Sequence, residues 1–160
     1  MLQRSRRHWQ KRFLPTLLFC LFAAGAGCCY WRPEYFLRHF TQESTVSAAY
    51  AIMLMLLLGC GSPVQLALVP CLCLASGALT AVSFLQSGLP DLSAARETIQ
   101  WALAFLPAFL GSALTCMRAA LIVWIGRQGS REDPAPYFWF SLLITAGGLT
   151  LLILVERFFM

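Results

Sequence analysis

The residues of this chain able to do chemistry are seven cysteines, two histidines and a few serines. Their spacing gives little support to any reaction. The cysteines are Cys20, Cys28, Cys29, Cys60, Cys71, Cys73 and Cys116, and no two stand as CxxC. Cys71 and Cys73 are two apart, which on a helix turns them about 200° away from each other. They cannot hold one metal between them. Every cysteine lies in or at the edge of an apolar stretch, where a thiol behaves as a small hydrophobe. The adjacent Cys28 and Cys29 are the pair to test for redox chemistry or lipid attachment.

A serine nucleophile needs a base within reach. His8 and His39 stand outside the apolar stretches that hold Ser76, Ser83, Ser112 and Ser141. His39 and Glu43 are spaced one helical turn apart, which reads as a solvated face. Ion-coupled transport keeps acids at mid-membrane, and the apolar stretches carry only Arg118 as a charge. Its long stem suits snorkelling to the nearer interface. A contact to a substrate anion or lipid headgroup is the sharper alternative. Gly59 and Gly61 are too close together for a phosphate loop. The chain is therefore expected to be non-enzymatic, with no cofactor and no metal.

The elements that position these residues are membrane helices. The chain has 160 residues, 59% of them hydrophobic and 12% charged, with mean hydropathy +0.68. A soluble domain carries about a quarter charged residues. Between Glu43 and Asp91 there is no Asp, Glu, Lys or Arg. As one helix that stretch would reach roughly 70 Å, more than twice the hydrocarbon of a bilayer. The chain must turn back, and Gly59-Cys60-Gly61-Ser62-Pro63 supplies the turn.

The expected architecture is all-α, a single polytopic bundle with spans near 13–31, 45–58, 63–86, 98–125 and 137–155. The second span is short, so the Gly59–Pro63 turn is expected below the lipid surface, as a small polar indentation beside Gln65. Pro107 is expected to kink the fourth span. Gly88-Leu89-Pro90-Asp91 breaks the third. Residues 32–44 read as a short amphipathic segment on the membrane surface. Small residues at four-residue spacing, Ala23/Gly27, Ala67/Cys71/Ala75, Gly77/Ala81 and Ala104/Ala108, allow close helix packing.

The net charge of +5 rests mainly on Arg4, Arg6, Arg7, Lys11 and Arg12. Directly before an apolar span, such a cluster anchors the N-terminus in the cytoplasm and does not imply nucleic acid. The segment also mimics a signal peptide. Gly25 stands where a lipoprotein signal has leucine, so the segment is read as a retained helix. With five spans, Arg127, Arg131 and Arg118 join the inner side, and Arg32, Arg38, Arg96 and Arg157 lie outside. That distribution favours five spans over four and puts the C-terminus outside the cell membrane.

The middle and end of the chain resemble the stage II sporulation protein M family. The resemblance rests on Leu56-Leu57-Leu58-Gly59-Cys60-Gly61-Ser62-Pro63, then Val64 to Pro70, Gly77, Ser83-Phe84-Leu85 and Gly88. It continues in Phe105-Leu106-Pro107, the charged loop Gly126 to Pro136 and the last span, Tyr137 to Val155. It covers Ser47 to Phe159. The loop after the first span is shorter than is usual in that family, and Ala67 or Cys71 stands where glycine is expected. The resemblance implies a non-enzymatic membrane platform that recruits peptidoglycan-degrading enzymes in a sporulating bacterium. It carries over no catalytic residue. The surfaces expected to bind such a partner are Arg32, Glu34, Arg38, His39 and Glu43, and Gly88 to Glu97 with Asp91 and Arg96. A second copy of the chain is a further expected partner. The competing reading is a small transporter or permease subunit, with Pro107, Gly111 and Arg118 lining a path.

Overall fold

A computed structural model of the chain describes residues 2–88, 92–129 and 132–159, with side chains from Arg12 onward except at 92–94. The described residues form six helices and no strand. They are α1 (Leu2–Trp31), α2 (Pro33–His39), α3 (Gln42–Leu58), α4 (Gln65–Gln86), α5 (Leu92–Gly126) and α6 (Ala135–Phe159). Helices α1, α4, α5 and α6 each contain a segment long and apolar enough to cross a membrane. Helices α2 and α3, bent by 88° at the break between them, make a fifth candidate. This is the composition of a multi-pass membrane protein. Leu89, Pro90, Asp91 and Arg131 lie outside the described residues.

The helix bounds follow local chemistry. Helix α3 starts earlier than apolarity alone suggests because Thr41 caps it: its hydroxyl accepts the Ser44 N–H at 3.3 Å. Helix α4 starts later than Pro63. The Gln65 N–H bonds the Ser62 carbonyl at 3.0 Å and the Leu66 N–H bonds the Pro63 carbonyl at 3.1 Å. These are i to i+3 bonds, so Pro63 sits in a tight lead-in turn before the helix proper. Helix α5 carries Pro107 inside one uninterrupted helix.

Helix α4 is the centre of the bundle. Inside its apolar window 56% of residues are buried, against 22% in α1 and in α6. The buried face of α1 is Leu14, Leu18, Gly25 and Cys29, on one stripe of the helix. It lies on α4, where the backbones nearly touch. A Cβ on Gly25 would stand 2.0 Å from the Leu74 carbonyl oxygen, and one on Gly77 would stand 1.9 Å from that of Phe22. Farther along, Cys29 packs with Ala81 and Val82. The end of α1 thus lies against the end of α4, with Gly25 and Gly77 at the crossing between, so α1 and α4 run in the same direction.

The small-residue pattern is only partly used. Gly77/Ala81 and Ala104 are buried as the spacing suggests. Ala108 meets Gly148, where a Cβ would come within 2.6 Å. In α1, however, Gly25 makes the close approach and Gly27 faces open space. Ala67, Cys71 and Ala75 lie on the exposed face of α4. Four-residue spacing marks a face and does not say whether lipid or a helix covers it.

The bundle has two distinct ends. The hairpin end holds the start of α1, the 59–64 turn, the end of α5 and the start of α6. The platform end holds α2, the ends of α4 and α6 and the start of α5.

Candidate functional site

At the platform end, α2 lies across the bundle on its aromatic face. Phe36 and Phe40 pack onto the cluster of Cys29, Ala81 and Val82. The opposite face carries the polar residues expected to bind a partner: Arg32, Glu34, Arg38 and His39 are all exposed, as is Glu43 at the start of α3. His39 and Glu43 do not share a helix turn. Helix α2 ends at His39, and Glu43 belongs to α3 beyond the 88° bend. His39 instead donates through Nδ1 to the Tyr35 carbonyl at 2.7 Å, with the two rings 4.4 Å apart. An open groove beside α2 is lined by Gly27, Trp31, Arg32, Tyr35 and Phe36 among others. Trp31 is 83% exposed there. Arg96 is exposed on α5.

The α2–α3 corner is braced from below. Gln86 at the end of α4 donates to the Phe40 carbonyl at 2.6 Å and accepts from the Thr45 hydroxyl at 3.3 Å. A crevice of about 90 Å³ opens beside this brace, lined by Gln42, Thr45, Ser83, Gln86, Glu97 and Trp101 among others. Its walls are the first turns of α3, the end of α4 and the early part of α5. Trp101 is buried, and its indole N–H has no hydrogen-bond partner among the described residues. Its ring stacks on Phe105, and Phe105 on Phe109, continuing the aromatic ladder into the core.

The polar indentation expected from the short span is thus at the other end of α3. At the hairpin end Gln65 is fully buried, and neither its Oε1 nor its Nε2 has a partner among the described residues. Its amide fills the space beside Gly59, where a Cβ would fall 2.0 Å from Nε2. Gly61 has φ +80, a conformation suited to glycine. The Phe138 ring of α6 occupies the position a Cβ would take there. The turn is therefore sealed by α6.

The same turn brings two thiols together. Cys60 Sγ lies 3.7 Å from Cys116 Sγ and 3.7 Å from the Phe138 carbonyl oxygen. Cys116 Sγ lies 2.6 Å from Ser141 Oγ and 3.6 Å from the Leu56 carbonyl oxygen. Ser76, Ser83 and Ser112 bond carbonyls of their own helices, at Leu72, Leu79 and Phe109. Only Ser141 among the four membrane serines reaches a reactive group on another helix. Sequence reasoning missed this cluster, because residues far apart in the chain carry no pairing signal. The one hint was a cysteine between two glycines in the turn. The Cys28 and Cys29 pair diverges: Cys29 is buried and Cys28 exposed.

The register of α5 and α6 places the remaining residues. A Cβ on Gly111 would sit 3.5 Å from Ile144, and Cys116 meets Ser141. The helices are antiparallel, which sets Arg118 level with Tyr137 and Trp139. Exposed Tyr137 and Trp139 are residue types of the membrane interface, and exposed Trp124 lies about two turns farther along α5. Arg118 is half-buried at that level. Pro107 is exposed on the outer face of α5, so it lines no internal path. In comparisons with family models, curated proteins and solved structures, nothing matches this chain.

Proposed function

We propose that this chain is a non-enzymatic membrane scaffold of the stage II sporulation protein M type, which holds peptidoglycan-remodelling proteins at the cell membrane. The observation that carries the reading is α2. It is a braced segment turned across the bundle, with Arg32, Glu34, Arg38 and Glu43 exposed on one side. A surface fixed before binding costs less ordering entropy when a partner arrives. The N-terminal basic cluster puts the hairpin end in the cytoplasm by the positive-inside rule, and α2 then faces the wall. Arg96, exposed early in α5, adds a second patch at the same end, and Asp91 lies beyond the described residues.

The test is recovery of partners from native membranes after crosslinking through a photoreactive residue at Tyr35. Enrichment of a peptidoglycan hydrolase, lost when Arg32, Glu34, Arg38 and Glu43 are replaced together, is the expected result. Unchanged recovery by that variant would remove α2 as the binding surface.

The crevice at Trp101 favours a second reading, a small transporter or permease subunit. A path from it toward Gly111 and Arg118 runs against Phe105, Phe109 and Ser112, all with zero exposure. Labelling of cysteines placed at Gly111 and Arg118 by a water-soluble maleimide would favour transport over the scaffold.

A further inference from the structure

We propose that Cys60 and Cys116 form a redox-reversible pair, in which a peroxide oxidises Cys60 and Cys116 resolves it to an intrachain disulfide. Their sulfurs are 3.7 Å apart. A disulfide needs about 2.05 Å, so closure requires a shift of less than one bond length per sulfur plus rotation about the two Cα–Cβ bonds. The turn provides that freedom. Cys60 is flanked by Gly59 and Gly61 and belongs to no helix.

The two thiols stand in different surroundings. Cys60 is half-buried in the turn, beside the Phe138 backbone at the start of α6, and keeps some exposed surface. Cys116 has zero exposure in the core. Susceptibility follows access, and a reactive cysteine beside a resolving one is the arrangement that converts a sulfenic acid to a disulfide. Cys60 is therefore the attacking thiol and Cys116 the resolving one.

The step balances as follows for hydrogen peroxide. The Cys60 sulfur attacks one peroxide oxygen, the O–O bond breaks, and water leaves with the thiol proton. Cys60 becomes a sulfenic acid, having lost two electrons to the peroxide. The Cys116 sulfur then attacks the Cys60 sulfur. The S–S bond forms, the S–O bond breaks, and the hydroxyl leaves as water with the Cys116 proton. Ser141 Oγ, 2.6 Å from Cys116 Sγ, is the nearest group to take up and pass on that proton. Two thiols and one peroxide give one disulfide and two waters. A dithiol reductant reverses the bond by exchange.

The bond would tie the α3–α4 turn to α5, across the face that Phe138 and Ser141 of α6 already close. Oxidation would lock the hairpin end and leave the platform end unlinked.

The test uses the full chain in detergent micelles. The protein is treated with hydrogen peroxide, remaining thiols are alkylated, and peptides are mapped by mass spectrometry. The expected product is a Cys60–Cys116 linked peptide that dithiothreitol abolishes, with a raised unfolding temperature for the oxidised protein. In Cys116→Ser, dimedone is expected to trap a sulfenic acid on Cys60 and no linked peptide forms. Cys116→Ala serves equally if the serine variant folds poorly. Recovery of both residues as alkylated thiols, at a peroxide dose that oxidises exposed Cys28, would overturn the proposal. So would over-oxidation of Cys60 with Cys116 still free.

Discussion

Gln65 is a polar side chain with zero exposure and an amide that bonds to nothing among the described residues. An unsatisfied buried polar group costs about 1–3 kcal/mol, whereas an apolar group of similar shape escapes that cost. Gln65→Met is therefore expected to leave the bundle as stable or more stable, by up to about 2 kcal/mol, in thermal unfolding in detergent. A clear loss of stability would mean that Gln65 has a partner in the membrane, such as a bound water. Gly61 carries the opposite expectation. Alanine there meets both φ +80 and the Phe138 ring. Gly61→Ala should cost about 1–3 kcal/mol or more, and Gly61→Ala combined with Phe138→Leu should recover part of it. Full recovery would assign the loss to the ring, and none would assign it to the backbone.

At the scale of elements, α1 is held to α4 through backbone contact at Gly25 and Gly77. Lipid offers no hydrophobic drive between helices, so such an approach depends on dispersion at short range. Any side chain at Gly77 must push the two backbones apart. Gly77→Leu is expected to lower the unfolding midpoint and to release α1, read as faster proteolysis of the N-terminal segment. Gly27→Leu, which faces open space, should do neither. Equal effects at both positions would remove the contact as the anchor. The same pair shows what the sequence makes legible. Apolar length and the Gly-Pro turn announce the helices and the hairpin, because those follow from hydration and local backbone chemistry. Which side of a helix faces lipid is not announced, because lipid and helix interior are equally apolar. Hence Gly77/Ala81 was placed well, Ala67/Cys71/Ala75 was not, and Gly25 was passed over for Gly27. The site fared likewise. The exposed charges of α2 were readable as a surface, since charge before and after an apolar run must sit in water. The Trp101 crevice and the Cys60–Cys116 cluster were not, since both come from how separate helices are set against one another.

For the whole molecule, the asymmetry of its two ends decides how it sits in a membrane. Helices α1 and α4 run in one direction, and α5 is antiparallel to α6. The hairpin end therefore gathers the start of α1, with Arg12 exposed, together with Arg118 and Arg127. Exposed Tyr137 and Trp139 mark the lipid boundary there, level with the Gly59–Val64 turn that Phe138 covers. Twenty-two residues of α4 then rise about 33 Å toward α2, close to the thickness of the hydrocarbon. The bundle thus spans the bilayer with the turn at one interface and α2 at the other, and the positive end is expected inside. A cysteine introduced at Gln128, between α5 and α6, should resist a membrane-impermeant maleimide added to intact cells and react after permeabilisation. A cysteine at Leu37, exposed on α2, should react without it. Both experiments use a background in which exposed Cys20, Cys28 and Cys71 are replaced by alanine. The reverse pattern would invert the molecule and put α2 in the cytoplasm, which rules out the proposed docking of wall enzymes on it. Labelling of both sites in intact cells would mean an even number of crossings between them, and α3 would then be a re-entrant segment.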